Sequence, residues 1–231
     1  MLKLDREGEK FVFANEWDIL IPVELCETPE AGLTVTVIPR LKKLGREFVR
    51  RFADRPFSSE ALEWLRTEIA GVSADWGYPV GRHSVRHCRI FRFPEGETPR
   101  EPLPGGRVLT EADEEINETT FDIAESVRDG RLCFGQEDGG RIASVAVTHA
   151  SPDERERGGT LEIGVETVPR ARLHGYAASC LLGLTRMILD HGLIPEYRCT
   201  RSNAASAKVA RAAGYVQIGE ACSFVLRRAG R

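Results

Sequence analysis

The sequence is poor in lysine and contains no long apolar run. Lysine stands only at positions 3, 10, 42, 43 and 208, so that nearly all of the 32 basic residues are arginine. They are balanced by 35 acidic residues, the formal charge is -3, and no basic stripe stands out along the chain. No run approaches the ~20 apolar residues of a membrane span. These absences argue against nucleic acid and against a membrane as partners.

The sequence also lacks paired cysteines. A chain of 231 residues needs no disulfides to hold its core, and the first ten residues are charged where a signal peptide would become apolar. We therefore expect free thiols and a soluble, cytoplasmic protein, for which a homodimer stays open. The six cysteines form no CxxC pair: Cys26, Cys88, Cys133, Cys180, Cys199 and Cys222.

One stretch of the chain is rich in helix and strand breakers. Residues 94–106, PEGETPREPLPGG, hold four prolines and three glycines. Such a stretch blocks both helix and strand and is typical of a linker. The sequence therefore predicts an N-terminal α/β domain of unknown role over 1–93, a linker over 94–106 and a second domain over 107–231.

The N-terminal domain contains periodic segments but no functional motif. Periodicity and breakers predict strands over 11–25, 33–38 and 87–93, and helices over 41–52 and 58–70, the second capped by serine and ended by Gly71. His83, His87 and Cys88 are candidate zinc ligands by type. No second ligand pair lies near them, so we predict no metal site.

The second domain gives sharper signals. Thr110 is a candidate N-cap for an acidic first turn, with the helix running toward Arg128, and 138–140 has the composition of a hairpin turn. Gly192 and Gly214 stand where two helices should end, and Asn203 can cap the second of them. The other predicted elements are strands over 107–109, 132–137, 141–149, 160–168, 194–200, 215–219 and 223–227, and helices over 173–191 and 204–213.

The segment LEIGVETVPRARLHGYA, residues 161–177, carries the chemistry. It reads as a strand, a proline and an Arg-x-x-Gly-x-Ala turn that opens into a helix. Such a turn presents backbone N–H groups at the positive end of a helix, where a pyrophosphate can bind, and Gly175 lets a phosphate approach. The alternative is that Gly175 only eases helix packing and Arg172 is a solvated charge.

The order of these elements resembles the GNAT superfamily of N-acetyltransferases over roughly the last 125 residues. Arg172, Gly175 and Ala177 match its (Gln/Arg)-x-x-Gly-x-(Gly/Ala) signature. Asn203, Ser206 and the pair Gly214-Tyr215 match its downstream pattern, and the segment 195–215 looks like a branch with an extra N-terminal domain. The resemblance implies a mixed α/β fold, the GNAT acyl-CoA N-acyltransferase fold, preceded by a smaller mixed α/β domain.

The resemblance also implies acetyl-CoA as cosubstrate, without a metal. The strands at 160–168 and 194–200 should separate so that the pantetheine arm enters between them and pairs with an exposed strand edge. Asn203 would contact the arm or the thioester, or would serve only as a helix cap. The implied cofactor-binding residues are Glu166, Thr167, Val168, Arg172, Leu173, His174, Gly175, Tyr176, Ala177 and Asn203.

Acyl transfer to an amine requires a group that accepts the amine's proton. Glu162 and Glu166 share one face of a regular strand. Glu162 lies close to the general-base position of the histone-acetylating branch, whereas Glu166 lies where the strand should already face the cofactor arm. We expect Glu162 to be the base, and its alternative role is that of a solvent-facing carboxylate.

The general acid of the family is missing. Many members carry a tyrosine seven residues after the asparagine, but this chain has Ala210 there. Water can protonate the leaving thiolate, and Ser206, Cys199 and Tyr215 are the candidate side chains. Among these we adopt Ser206, because Tyr215 reads as a core residue. The sequence thus predicts acetyl transfer to a primary amine of a small molecule or peptide. A module that binds acyl-CoA without turnover is the alternative, and Ala210 favours it.

Overall fold

A computed structural model describes residues 2–4, 12–13, 19–155 and 158–229. The chain divides into two compact units, one of residues 1–89 with 219–231, and one of residues 90–218. The division differs from the predicted domains, because the last thirteen residues group with the N-terminal part and the break falls before the proline-rich stretch. Part of the predicted strand at 11–25 lies outside the described residues.

The first unit is a mixed α/β assembly. β5 lies between β1, to which it is parallel, and β4, to which it is antiparallel, and residues 220–223 pair antiparallel with β4 on its other side. A core that includes Phe48, Phe52 and Leu65 packs the helices together. Its first elements are β1 (Leu2–Leu4), β2 (Val12–Phe13), β3 (Ile19–Leu20), β4 (Val23–Thr28), β5 (Gly32–Val37), α1 (Lys42–Phe52) and α2 (Ser59–Ser73).

Helix α2 begins as predicted but ends later. The Ser58 side chain accepts a hydrogen bond from the Ala61 N–H at 3.2 Å, which confirms the cap. Gly71 does not end the helix, because Ile69 and Val72 carry its apolar face further into the core. A helical glycine costs only about 1 kcal/mol relative to alanine, which this burial offsets. The chain leaves the helical region at Gly77, where φ is 80°.

The second unit is built on a mixed sheet. The strands β7 (Gly106–Val108), β8 (Cys133–Asp138), β9 (Arg141–Thr148) and β10 (Thr160–Thr167) pair antiparallel in sequence order. β10 then pairs parallel with β11 (Ile194–Thr200). The remaining elements are β6 (Val85–Arg92), α3 (Ile123–Arg128), α4 (Tyr176–Asp190), α5 (Ala204–Ala212), β12 (Val216–Phe224) and β13 (Leu226–Arg227). Of these, β6 and β12 have residues in both units, and β13 belongs to the first unit.

The two faces of this sheet are covered by different elements. Leu161 and Ile163 of β10 join a buried cluster with the apolar residues of α4 and α5. On the opposite face, Val145 and Val147 of β9 pack with Ile123 of α3. Since successive strand residues alternate between faces, the even-numbered residues of β10 lie on the α3 side.

The predicted linker is not a free connector. Residues 94–106 belong to the second unit and lie along α4. The Leu103 N–H donates to Ser179 Oγ at 2.9 Å, and Arg186 donates to the Pro99 carbonyl at 2.6 Å and pairs with Glu101 at 2.7 Å. Proline and glycine therefore indicated irregular backbone correctly, but this backbone is anchored to a helix.

The predicted helix from Thr110 to Arg128 is interrupted. Thr110 and Asp113 form a capping box on a 3-10 turn over Glu111–Ile116. The chain then loops, because the Asn117 side chain bonds the Thr119 N–H at 2.9 Å and the Phe121 carbonyl at 2.7 Å. These side-chain bonds compete with helical ones, and α3 starts anew at the Asp122 cap. The two predicted terminal strands at 215–219 and 223–227 are instead β12 and the short β13.

Candidate functional site

Strands β10 and β11 separate part way along their length. Their parallel pairing runs from Thr160↔Ile194 to Ile163↔Tyr197 and then stops, although β10 continues to Thr167 and β11 to Thr200. On its other side β10 remains paired with β9 as far as Thr167↔Ser144. The separation expected between these strands is therefore present, and it leaves one edge of β10 open.

The register of β10 determines which backbone groups face this opening. The Glu162 carbonyl accepts the His149 N–H at 2.9 Å, and the Val168 N–H donates to the Ala143 carbonyl at 2.9 Å. Because hydrogen-bonding directions alternate along an antiparallel pair, even-numbered residues point toward β9 and Val165 and Thr167 point toward the opening. Of the three residues expected to pair with a ligand through their backbone, Glu166, Thr167 and Val168, only Thr167 directs its backbone groups toward the opening. The register also brings in Val165, which the sequence did not indicate.

The turn after β10 exposes a series of N–H groups. Arg172 closes a short 3-10 turn, Leu173 and Gly175 have φ values of 68° and 83°, and α4 begins at Tyr176. Ser179 is the first residue of the helix whose N–H finds an acceptor, the Gly175 carbonyl at 3.0 Å. Within the described part of the chain, no acceptor is present for the N–H groups of residues 173–178. Such groups at the positive end of a helix suit a phosphate oxygen.

The positive φ angles correct the predicted start of the helix. A helix from Leu173 would require φ near -63°, and neither Leu173 nor Gly175 has it. Gly175 adopts the left-handed conformation without strain, whereas Leu173 does so as a fully exposed leucine. The ring of His174 stacks on Tyr176 with centroids 5.5 Å apart, and the Tyr176 hydroxyl lies 3.5 Å from Asp138 Oδ1.

The two arginines near the turn have different surroundings. Arg170 is held by Glu118 at 2.6 Å and Asp138 at 2.5 Å, and these hydrogen bonds raise its pKa above the usual value. Arg172 is exposed, and its Nε contacts the Thr167 carbonyl at 3.4 Å. Of these two arginines, Arg172, the predicted residue, is therefore the one that no acidic side chain of the described residues pairs with.

The start of α5 faces the end of the paired region. Asn203 Oδ1 accepts the Ser206 N–H at 3.0 Å, so that Asn203 is a helix cap as expected, and its exposed side chain still carries the amide NH2 group. Ser206 Oγ lies 2.5 Å from the hydroxyl of Tyr197, the last β11 residue paired with β10. Burial raises the pKa of Tyr197 above 10, so the phenol is protonated at neutral pH.

Tyr197 is a candidate functional residue that the sequence did not indicate. The donors that the sequence suggested were Ser206, Cys199 and Tyr215, and Tyr197 of β11 was not among them. Its position as the last paired residue depends on strand register, which sequence does not reveal. Among the donors that were considered, Ser206 is the one that contacts it.

The other predicted donors belong to the core. The Tyr215 hydroxyl is buried and bonded to Thr185 Oγ1 at 2.6 Å, and desolvation raises its pKa. Cys199 and Ala210 are also buried. Tyr215 is therefore a residue of the core, as the sequence suggested.

A row of charged residues crosses the sheet on the face opposite α4. Arg92 of β6 contacts Glu196 Oε2 at 3.3 Å, and Arg198 Nε contacts Glu196 Oε1 at 2.7 Å. Arg198 Nε also lies 3.6 Å from Glu162 Oε2, and His149 Nδ1 lies 3.6 Å from Glu162 Oε1. Arginine and glutamate alternate from Arg92 to Glu162, and the row ends at the exposed His149.

Unlike that of Glu162, the Glu166 carboxylate is hydrogen-bonded to a loop. Its carboxylate Oε2 accepts hydrogen bonds from the Thr120 N–H at 3.0 Å and from Thr120 Oγ1 at 2.6 Å. It thereby holds the loop between the 3-10 turn and α3 against the sheet. This occupied carboxylate supports Glu162, rather than Glu166, as the candidate base.

His87, one of the candidate zinc ligands of the first unit, is engaged by other side chains. His87 Nε2 bonds Glu220 Oε2 at 2.7 Å and its ring stacks on Phe57. Among the described residues, no group of three or more His, Cys, Asp or Glu side chains could hold a metal, and no helix is long and apolar enough to cross a membrane.

Comparison with known proteins gives matches in structure but not in sequence. No family model and no curated protein matches the chain. A GNAT-family protein from Novosphingobium aromaticivorans DSM 12444 matches with a TM-score of 0.53 and 22% identity, over 67% of this chain and 69% of that one. A GNAT-family acetyltransferase from Colwellia psychrerythraea matches with a TM-score of 0.53 and 12% identity, over 96% of this chain and 90% of that one. A GCN5-related N-acetyltransferase-like protein from Streptococcus suis 89/1591 matches with a TM-score of 0.50 and 16% identity, over 97% of this chain and 95% of that one. The chain therefore has the fold of the GNAT N-acetyltransferases.

Proposed function

We propose that this protein is an N-acetyltransferase that transfers the acetyl group of acetyl-CoA to a primary amine of a small molecule or peptide by direct attack. The GNAT fold is compatible with this reaction. The proposal for this chain rests on the residues that surround the separated strands.

The observation that carries the proposal is the open edge of β10 followed directly by the N–H groups of residues 173–178. The edge offers the backbone of Val165 and Thr167 to an amide-bearing arm. The turn offers donors and the positive helix end to a pyrophosphate, with Arg172 as a nearby cation. The two features follow one another along the chain in the order in which pantetheine and pyrophosphate occur in coenzyme A.

Glu162 is suited to accept the amine's proton. Its side chain is 33% exposed and lies on the sheet face away from α4, just before the strands separate. The neighbouring Glu196 is only 5% exposed and is engaged by Arg92 and Arg198. Glu162 is thus the accessible carboxylate of the register pair.

Tyr197 and Ser206 are suited to stabilise the departing thiolate. A thiol has a pKa near ~8.5, below the raised pKa of the Tyr197 phenol. Full proton transfer from the phenol would therefore be uphill, and a hydrogen bond to the thiolate is the favoured contribution. Ser206 can orient the phenol and share the proton across their 2.5 Å contact.

The test uses the full chain with acetyl-CoA and a panel of primary amines. Isothermal titration should show binding of acetyl-CoA, and thiol release together with a mass gain of one acetyl group should identify acetylated amines. Absence of acetyl-CoA binding to the folded protein would exclude the proposal.

A second candidate is a module that binds acyl-CoA without turnover. Ala210, buried where many family members carry a catalytic tyrosine, is the observation that favours it. Binding of acetyl-CoA without thiol release for any amine, over a broad panel and pH range, would select this candidate.

A further inference from the structure

We propose that His149 is the second proton carrier of the site, taking the proton from Glu162 and releasing it to solvent. The inference rests on the proposed function, in which Glu162 deprotonates the amine. It assigns a role to a residue that no sequence pattern indicated.

The backbone keeps the two residues side by side. His149 directly follows β9, and its N–H donates to the Glu162 carbonyl at 2.9 Å, so that the antiparallel register continues through this pair. Their side chains then project from the same face, with His149 Nδ1 3.6 Å from Glu162 Oε1. This is an ion-pair distance, and a small rotation of either side chain, or one bridging water, completes a hydrogen bond.

On its interior side, Glu162 faces Arg198 among the described residues. Arg198, 3.6 Å away, stays protonated at every relevant pH. Behind it, Glu196 is buried between Arg198 and Arg92. Among the described residues that flank Glu162, His149 is the side chain that carries an imidazole, which can accept and release a proton, and that reaches solvent, with 55% of its side chain exposed.

The proton balance of the reaction requires such an exit. A protonated amine loses two protons on becoming an amide, one before its attack on the thioester carbonyl and one after it. One proton ends on the sulfur of the released coenzyme A as the C–S bond breaks. The other must reach solvent, and we assign its route to Glu162 Oε1, then His149 Nδ1, then water.

Gly164 gives His149 its place beside the strand. A Cβ at this position would lie 3.1 Å from His149 Nε2 and 3.2 Å from Phe121 Cζ. Both rings would have to move outward by a few tenths of an ångström. Gly164→Ala should therefore weaken the coupling between His149 and Glu162 without changing any ionisable group.

The test is chemical rescue of a His149→Asn enzyme, assayed with the best amine of the panel at low buffer concentration. We expect kcat at neutral pH to fall at least about tenfold with the acetyl-CoA KM unchanged. Added imidazole should restore kcat in a saturable manner, which a structural defect would not allow. Gly164→Ala should show a smaller loss. His191→Asn is the matched control, because His191 is exposed at the end of α4 and its side chain bonds only the Met187 carbonyl among the described residues.

Three results are decisive. A His149→Asn enzyme with wild-type kcat from pH 6 to 9 at low buffer would overturn the inference and leave the proposed acetyltransferase intact. A loss of kcat that imidazole does not restore, while the melting temperature is unchanged, would overturn it equally. A wild-type enzyme that acetylates no amine would instead fail the proposed function itself, and the relay with it.

Discussion

Glu162 of β10 and Glu196 of β11 are direct register partners in the last stretch where these strands pair, yet their surroundings differ. The Glu196 side chain is buried and engaged by Arg92 and Arg198, whereas Glu162 lies at the surface between His149 and Arg198. One carboxylate therefore anchors the charged row and the other is free to exchange protons. This asymmetry supports the proposal that Glu162, rather than Glu196, accepts the amine's proton.

Replacing Glu162 with glutamine should lower turnover by about 100-fold at neutral pH, the usual size of a general-base contribution. Binding of acetyl-CoA should not change, because the substitution leaves the open edge and the turn intact. The deficit should shrink as pH approaches the pKa of the acceptor amine, since the solvent then deprotonates the amine. Rates measured from pH 6 to 10 test this, with the exposed Glu125→Gln on α3 as control, and a wild-type rate at every pH would exclude Glu162 as base.

Replacing Gly175 with aspartate should abolish the rise in melting temperature that acetyl-CoA produces. A carboxylate there would repel a pyrophosphate, and the φ of 83° disfavours any side chain. Gly192→Asp, at the other end of α4 with a φ of 68°, carries comparable backbone strain and should keep the shift. Thermal unfolding with and without the ligand distinguishes them, and a folded Gly175→Asp protein with normal binding would refute the pyrophosphate assignment.

Replacing Tyr197 with phenylalanine should lower kcat by roughly 10- to 100-fold while acetyl-CoA still binds, because only the hydroxyl that faces Ser206 is lost. Adding Ser206→Ala to this variant should lower kcat little further if the two residues act as one unit.

Tyr215→Phe is the control for Tyr197→Phe, since it removes a buried hydroxyl bonded to Thr185. That change should reduce stability by about 1 kcal/mol and leave kcat unaltered. Equal kcat values for Tyr197→Phe and wild type would show that Tyr197 does not stabilise the departing thiolate, which would leave water in that role.

The pair of Arg107 and Asp113 should make stability depend on acidic pH. The hydrogen-bonded Arg107 guanidinium, helped by Thr110, lowers the pKa of Asp113 from 3.8 to about 2. Because the folded pKa lies below the unfolded one, the contribution is complete above about pH 5 and is lost as pH falls toward 2. It amounts to at most about 2 kcal/mol, reduced by solvent screening because Arg107 is 40% exposed.

Denaturant unfolding of wild type and Asp113→Asn between pH 2 and 7 measures this contribution. The variant should be less stable at pH 7, and the difference should diminish as the pH falls below 5. A difference that stays constant over this range would show that the carboxylate charge contributes nothing.

Much of the local structure followed from the sequence alone. Caps such as Ser58 and Asn203 and the stop signals Gly192 and Gly214 depend on neighbouring residues only, so they could be identified before any tertiary contact was known. The hairpin at 138–140 has the same origin. The order of these elements, together with the turn from Arg172 to Ala177, was sufficient to indicate the GNAT fold.

Only the tertiary structure decided which residues meet. The register of β10 turned the backbone of Glu166 away from the opening and brought in Val165, and it placed Tyr197 at the point where the strands separate. His149 and Glu162 became neighbours through a hydrogen bond between strands. A one-residue change in pairing reverses every side chain of a strand, and pairing is set by packing between segments distant in sequence. Local patterns could therefore locate the elements of the site but not the contacts between them.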